Sequence, residues 1–302
     1  MSIRPRLAWI AAAALAAALA WAPAAPAAEI LTKVPYYLAL HPAKGEARGT
    51  VLLLHGGGWQ GDLGRAVDRM QAPTIKLLRG WGFDVATLGY RSGEESLEDA
   101  VDAFDELRGR FPERPICVFG FSAGAQLGLI AAARRGEAVA CVVDLLGPPD
   151  LEEMGNRRRS RRGEDLARMA FGGAVRRLSP IRNAKEITAP VLIGAAECDA
   201  YVAPADHERF AKRLREAGGD ATLVLIEPGR DVDLEHCKVD GDSYDEFMDQ
   251  AREFMTEAAA RWTPPPAAAE PAAEEEGGGA GLWIGLAGVL AGVALAVWAW
   301  RR

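Results

Sequence analysis

The stretch ICVFGFSAGAQLGLIAAARR, residues 116–135, decides the fold. A short β-branched run ends in G-x-S-x-G, and a helical pattern begins at once. A strand feeding a helix through so tight a turn forces its central residue, Ser122, into a strained backbone conformation and leaves Oγ exposed. Gly120 and Gly124 let strand and helix approach each other.

Similar apolar runs recur on both sides. TVLLLH (50–55), FDVATLGY (83–90), VACVVDLL (139–146), VLIGAA (191–196) and TLVLIE (222–227) are the lengths of buried parallel strands. Between them lie amphipathic segments. Ser96 reads as a helix N-cap with Asp99 three residues on. Leu97, Val101, Phe104 and Leu107 then share one face, with Glu98, Asp102, Asp105 and Arg108 turned to water. DHERFAKRLREAG (206–218) places Phe210 and Leu214 one turn apart, ends at Gly218 and leaves His207 on the polar face as a surface residue. Strands alternating with helices define an α/β fold, a mostly parallel sheet covered on both faces. About 45 residues separate the fourth of these helix-flanked strands from the next, too many for one crossover, so a small cap is expected at about 148–182. Its arginines at 157–159 and 161–162 read as a solvated loop, with anion binding as the alternative.

HGGGW (55–59) follows the strand at 50–55. Three consecutive glycines cost conformational entropy, and their use is to aim backbone N–H groups at an anion without side chains in the way. In acyl transfer that anion is the tetrahedral oxyanion, and losing one donor costs about 3 kcal/mol in the barrier. The expected donors are Gly57, Gly58 and Ala123, with a register that can slide by one; a plain glycine-rich turn is the alternative.

Residues 50–262, through HGGGW, GYR (89–91) and GFSAG (120–124), resemble an α/β-hydrolase of the bacterial hormone-sensitive-lipase-like carboxylesterase type. The resemblance implies a cofactor-independent serine hydrolase acting on small-molecule or polymer-borne carboxylic esters, with chain order Ser, acid, His. It implies Ser122 as nucleophile and His236, in the polar loop after 222–227, as base. Its strand–turn–Asp pattern implies Asp199 as acid, with Val202 three residues on; Glu197 and Asp144 are rivals. The arginine-rich cap departs from the family, so substrate range does not carry over. A peptidase, a dienelactone-type hydrolase and a non-catalytic binding domain of the same fold are the alternatives.

The chain holds four cysteines. Cys117 and Cys141, inside neighbouring apolar strands, are expected as buried free thiols. Cys198 precedes the implied acid and Cys237 follows the implied base, so a disulfide between them would staple the two catalytic loops; two unrelated loop thiols are the alternative. No C-x-x-C spacing suggests a metal.

The ends read as targeting segments around a domain at 29–262. Residues 1–27 combine Arg4 and Arg6, an apolar run and APA (25–27), the order of a secretory signal peptide; an uncleaved anchor is the alternative. Residues 263–281, rich in Pro, Ala, Glu and Gly, form a linker. LWIGLAGVLAGVALAVWAW (282–300), closed by Arg301 and Arg302, reads as a transmembrane helix with its arginines cytoplasmic. The tail also resembles bacterial sorting signals cut by intramembrane proteases. An exported domain on a membrane tether is expected. The net charge of −7 gives no electrostatic case for nucleic acid.

Overall fold

A computed structural model describes residues 27–33, 35–155, 161–199, 201–227 and 241–266. The chain divides into two units, Met1–Pro265 and Pro266–Arg302; every element below belongs to the first, and of the second only Pro266 is described. The expected signal peptide up to residue 26, all but the first residues of the expected linker, the expected transmembrane segment, His236 and Cys237 lie outside the described residues. Among those described, no helix is long and apolar enough to cross a membrane.

Eight strands form one sheet: β1 (Glu29–Thr32), β2 (Tyr37–His41), β3 (Gly49–Leu54), β4 (Phe83–Gly89), β5 (Ile116–Phe121), β6 (Cys141–Leu145), β7 (Val191–Ala196) and β8 (Ala221–Ile226). Their order is β1-β2-β4-β3-β5-β6-β7-β8. From β4 to β8 every pairing is parallel, while β1 and β2 add an antiparallel edge. The six predicted strands are present with small shifts at their ends. The antiparallel pair was not predicted. Its second member, YLALH, is buried at four of its five positions and shows no alternation.

Seven helices are used below: α1 (Ala66–Met70), α2 (Ala72–Gly80), α3 (Glu95–Arg110), α4 (Ala123–Arg135), α5 (Arg161–Phe171), α6 (Pro204–Glu216) and α7 (Asp242–Arg261). Successive strand residues point to opposite faces, so the sheet carries two cores. Leu52, Leu54, Val118 and Val142 pack in one, together with α3, α4 and α6 side chains. Val51, Leu53, Phe119 and Val143 pack in the other, against α2 and α7. This is the α/β-hydrolase arrangement.

Four local expectations are corrected. Helix α3 begins at Glu95, so Ser96 is not its cap; Ser96 is buried and its hydroxyl donates to the Gly93 carbonyl at 2.5 Å. Asp99 is turned inward, not used as a capping partner. Arg108 does not simply face water. Its guanidinium donates to the carbonyls of Phe111, Pro112, Arg114 and Ala138 and stacks 4.5 Å from the Trp262 ring centre, tying off the end of α3. His207 is fully buried, because its spacing to Phe210 and Leu214 puts all three on the inner stripe of α6.

The fourth correction concerns the thiols. Cys117 and Cys141 are joined by a disulfide rather than free. They are register partners on adjacent strands β5 and β6, with Cα atoms 4.7 Å apart, inside the range a disulfide spans.

Candidate active site

Ser122 stands between β5 and α4 at φ 51° and ψ −120°. A non-glycine residue with positive φ is strained, and such residues persist only where their surroundings hold them. Here the Ser122 N–H donates to the Leu145 carbonyl at 2.9 Å, and the Ser122 carbonyl accepts from Ala125 N–H at 2.9 Å. A side chain at Gly124 would collide with the Leu54 and His55 backbone, and one at Gly120 with Ala125. The two glycines are therefore required for helix α4 to cross the ends of β3 and β5.

The glycine loop lies beside this turn. Gly57 and Gly58 have φ of 118° and 61°, and Trp59 continues at 59°. Glycine adopts this backbone freely, whereas Trp59 must be held in it. Its indole N–H donates to Gln126 Oε1 at 2.8 Å, and its ring meets Phe171 of α5 edge-on at 5.2 Å. Gln126 in turn donates to the Leu178 carbonyl at 2.8 Å. His55 is buried with its Nδ1–H donating to the Gly56 carbonyl at 2.6 Å. Its ring stacks on Tyr90, centres 4.0 Å apart, while the Tyr90 hydroxyl donates to the His55 carbonyl at 2.9 Å. Burial lowers the His55 pKa, so it holds the loop as a neutral ring. None of the Gly57, Gly58 and Ala123 N–H groups is spent on another loop or turn carbonyl among the described residues.

GYR ends in a clamp. Arg91 forms a two-pronged ion pair with fully buried Asp99, Nη2 to Oδ1 at 2.5 Å, and its backbone N–H adds a bond to Oδ2 at 2.7 Å. This joins the end of β4 to α3 directly beneath the glycine loop, where Gly93 N–H donates to the Trp59 carbonyl at 3.1 Å.

A cavity of about 550 Å³ opens over Ser122 and is also lined by Gly57, Gly58, Ala123, Leu166 and Tyr201. The nucleophile candidate and all three donor candidates therefore share one chamber. Leu166 of α5 and Met154 bring the stretch between β6 and β7 onto it, and a side chain at Gly58 would touch Leu166.

Asp199 is buried in the turn after β7, where its Oδ1 accepts the N–H groups of Tyr201 and Val202 at 2.8 and 3.0 Å. Buried Val202 anchors that turn. Of the rivals, Glu197 is exposed. Asp144 lies inside β6, fully buried, with Oδ1 accepting from Gly147 N–H at 2.8 Å. Burial raises its pKa to about 8, which keeps it a neutral acid. The strands of Ser122 and Asp199 flank β6, placing their ends about 10 Å apart. His236 lies outside the described residues, as does Cys237; Cys198 is disulfide-bonded.

Residue patterns did not flag Gln126, the packing of Tyr90 of GYR on His55, or the inward roles of Asp99 and His207. Only the two-helical-turn spacing from His207 to Leu214 carried a signal. Burial holds His207 neutral, its pKa lowered to about 4 against the opposing pull of Asp199 and Asp206. Among the described residues no group of three or more His, Cys, Asp or Glu side chains could hold a metal ion.

The sheet order, the elbow and the chamber define an α/β-hydrolase. The profile of the prolyl oligopeptidase family, Peptidase_S9, matches residues 79–258, more than half of the chain. The chain belongs to the prolyl oligopeptidase family and is a serine hydrolase. No curated sequence relative matches it. Among solved structures, esterase 2 of Thermogutta terrifontis phosphonylated by sarin is 21% identical, with a TM-score of 0.62, covering 81% of this chain and 99% of that one. The propionate-bound form of the same thermophilic esterase is 21% identical at a TM-score of 0.60, covering 80% and 96%. A truncated carbohydrate esterase from gut microbiota is 19% identical at 0.62, covering 74% and 91%. These likenesses show the fold.

Proposed function

We propose that the protein hydrolyses carboxylic esters through Ser122, His236 and Asp199. The observation that carries this is Ser122, held at a strained elbow and opening into a chamber it shares with Gly57, Gly58 and Ala123. His236 removes the Ser122 proton as Oγ attacks the acyl carbonyl, and Asp199 orients the imidazole. The Gly57, Gly58 and Ala123 N–H groups receive the oxyanion. His236 then returns the proton to the leaving alcohol, and a water activated by the same ring releases the acyl-enzyme. Similarity to the Thermogutta and gut-microbiota esterases supports the ester reading. The HGGGW loop, which lies outside the matched family region, supports the finer likeness to hormone-sensitive-lipase-like enzymes.

Peptide hydrolysis is the second reading, favoured by the family match. The two are separated by turnover of matched p-nitrophenyl esters and p-nitroanilides by the purified domain and its Ser122→Ala variant. Ester turnover that vanishes in the variant supports our reading; anilide turnover without ester turnover defeats it.

We further propose export and a membrane tether through 282–300, retained or removed by a sorting protease. The Cys117–Cys141 bridge supports folding in an oxidising compartment. Pairing of Cys198 with Cys237 would tie the turn of Asp199 to the loop of His236. Non-reducing peptide mapping tests it, and any other partner for Cys198 would refute it.

A further inference from the structure

The chamber is asymmetric. Toward the α2–α7 face of the sheet it descends from Ser122 past Phe121 to a floor of Leu53 and Phe119. Leu53 and Phe119 are register partners on β3 and β5 and are almost wholly buried. Phe119 stands three residues before Ser122, so the floor lies about 10 Å along the strand from the nucleophile. Thr74 of α2 forms part of the wall. Met70 and Leu77, four residues before and three after Thr74, are both exposed, at 51% and 40%. Apolar surface thus continues from the chamber wall to the outside. None of the described residues lining the chamber is charged, so none of them compensates a charged substrate group.

From this geometry we infer that Thr74 and Phe119 set substrate chain length: an uncharged acyl group of medium length runs along β5 from Ser122, with Phe119 as its stop and Thr74 as its side wall. This rests on Ser122 being the nucleophile and deepens the ester reading by naming the residues that select the acyl group. A branched or short acyl group leaves the floor empty, and each methylene placed in such a pocket changes the rate by roughly 10-fold or more. Indole at position 74 fills the passage from an accessible helix, while loss of the Phe119 ring deepens the floor.

The test uses two alkyl fluorophosphonates, one ethyl and one decyl, whose labelling rates are read by intact mass on the purified domain. Labelling reads Ser122 directly, so the result does not depend on whether the natural substrate is an ester. Thr74→Trp is expected to lower the decyl-to-ethyl rate ratio at least 10-fold, and Phe119→Ala to raise it by 3-fold or more. Phe119→Ala removes core volume, so Thr74→Trp, which changes a half-buried helix residue, decides the matter if the other variant does not fold. A Thr74→Trp ratio within 2-fold of wild type overturns the inference. A labelled enzyme that hydrolyses no ester defeats the ester reading while the ratio still tests chain length. Folded enzyme that neither probe labels defeats both.

Discussion

The Trp59 indole donates to Gln126 Oε1 at 2.8 Å, tying the glycine loop to the helix that Ser122 begins. Two parts of the proposed site, the oxyanion donors and the nucleophile, are thereby fixed to each other by one buried bond. Gln126 also reaches the Leu178 carbonyl. Replacing it with leucine leaves a buried donor and a buried acceptor unpaired, at a cost of about 2–4 kcal/mol. Gln126→Leu is expected to fold with a lowered Tm and to lose at least 10-fold in kcat, with less change in KM. An unchanged kcat would show that the loop is held without this bond.

Arg91 and Asp99 offer a second lever. Asp99 is fully buried and Arg91 meets it with paired donors, a geometry that lysine cannot reproduce. Arg91→Lys is expected to destabilise by about 1–2 kcal/mol, and Asp99→Ala by about 3 kcal/mol, since it leaves the guanidinium and the Arg91 N–H without their acceptor. Denaturant melts of the two variants check the order.

His207 sets an acid limit on stability. Its folded pKa of about 4 lies below the ordinary value of 6.5 because burial disfavours the cation. As pH falls, the unfolded chain takes up the proton first. The stability His207 contributes is therefore present above pH 6.5 and lost as pH falls through about 4, by roughly 3 kcal/mol in all. His207→Phe should flatten the fall in Tm across that window; an unchanged slope would contradict the assignment.

Asp144 acts in the opposite sense. Burial raises its folded pKa from 3.8 to about 8, so the native chain holds a proton that the unfolded chain has lost. Its contribution is present below pH 3.8 and is lost as pH rises through about 8. Asp144→Asn keeps the acceptor for Gly147 N–H and removes the titration. It is expected to raise Tm at pH 8 more than at pH 4.5, measured by calorimetry.

How much of this was legible in the sequence differs by kind of signal. Five of the six parallel strands are buried nearly throughout and read as continuous apolar runs, and β8, at the sheet's edge, is apolar enough in sequence to be placed as well. The β1–β2 edge could not, because neither strand alternates and the hairpin sits far from any motif. G-x-S-x-G and HGGGW carry a backbone requirement that only those residues satisfy, and both lie at the chamber. Side chains that serve tertiary contacts were misread. Asp99 looked like a local capping partner yet pairs with Arg91, and His207 looked polar yet completes a 207–210–214 stripe. The bridge between Cys117 and Cys141 depends on strand register, which is invisible in the sequence and brings the two thiols face to face.

The central claim is that Ser122 is the nucleophile. Incubating the folded domain with a fluorophosphonate and mapping the adduct by peptide mass spectrometry tests it most directly. The expected result is a single adduct on the peptide containing Ser122, absent from Ser122→Ala at equal Tm. An adduct elsewhere, or equal labelling of Ser122→Ala, would contradict it.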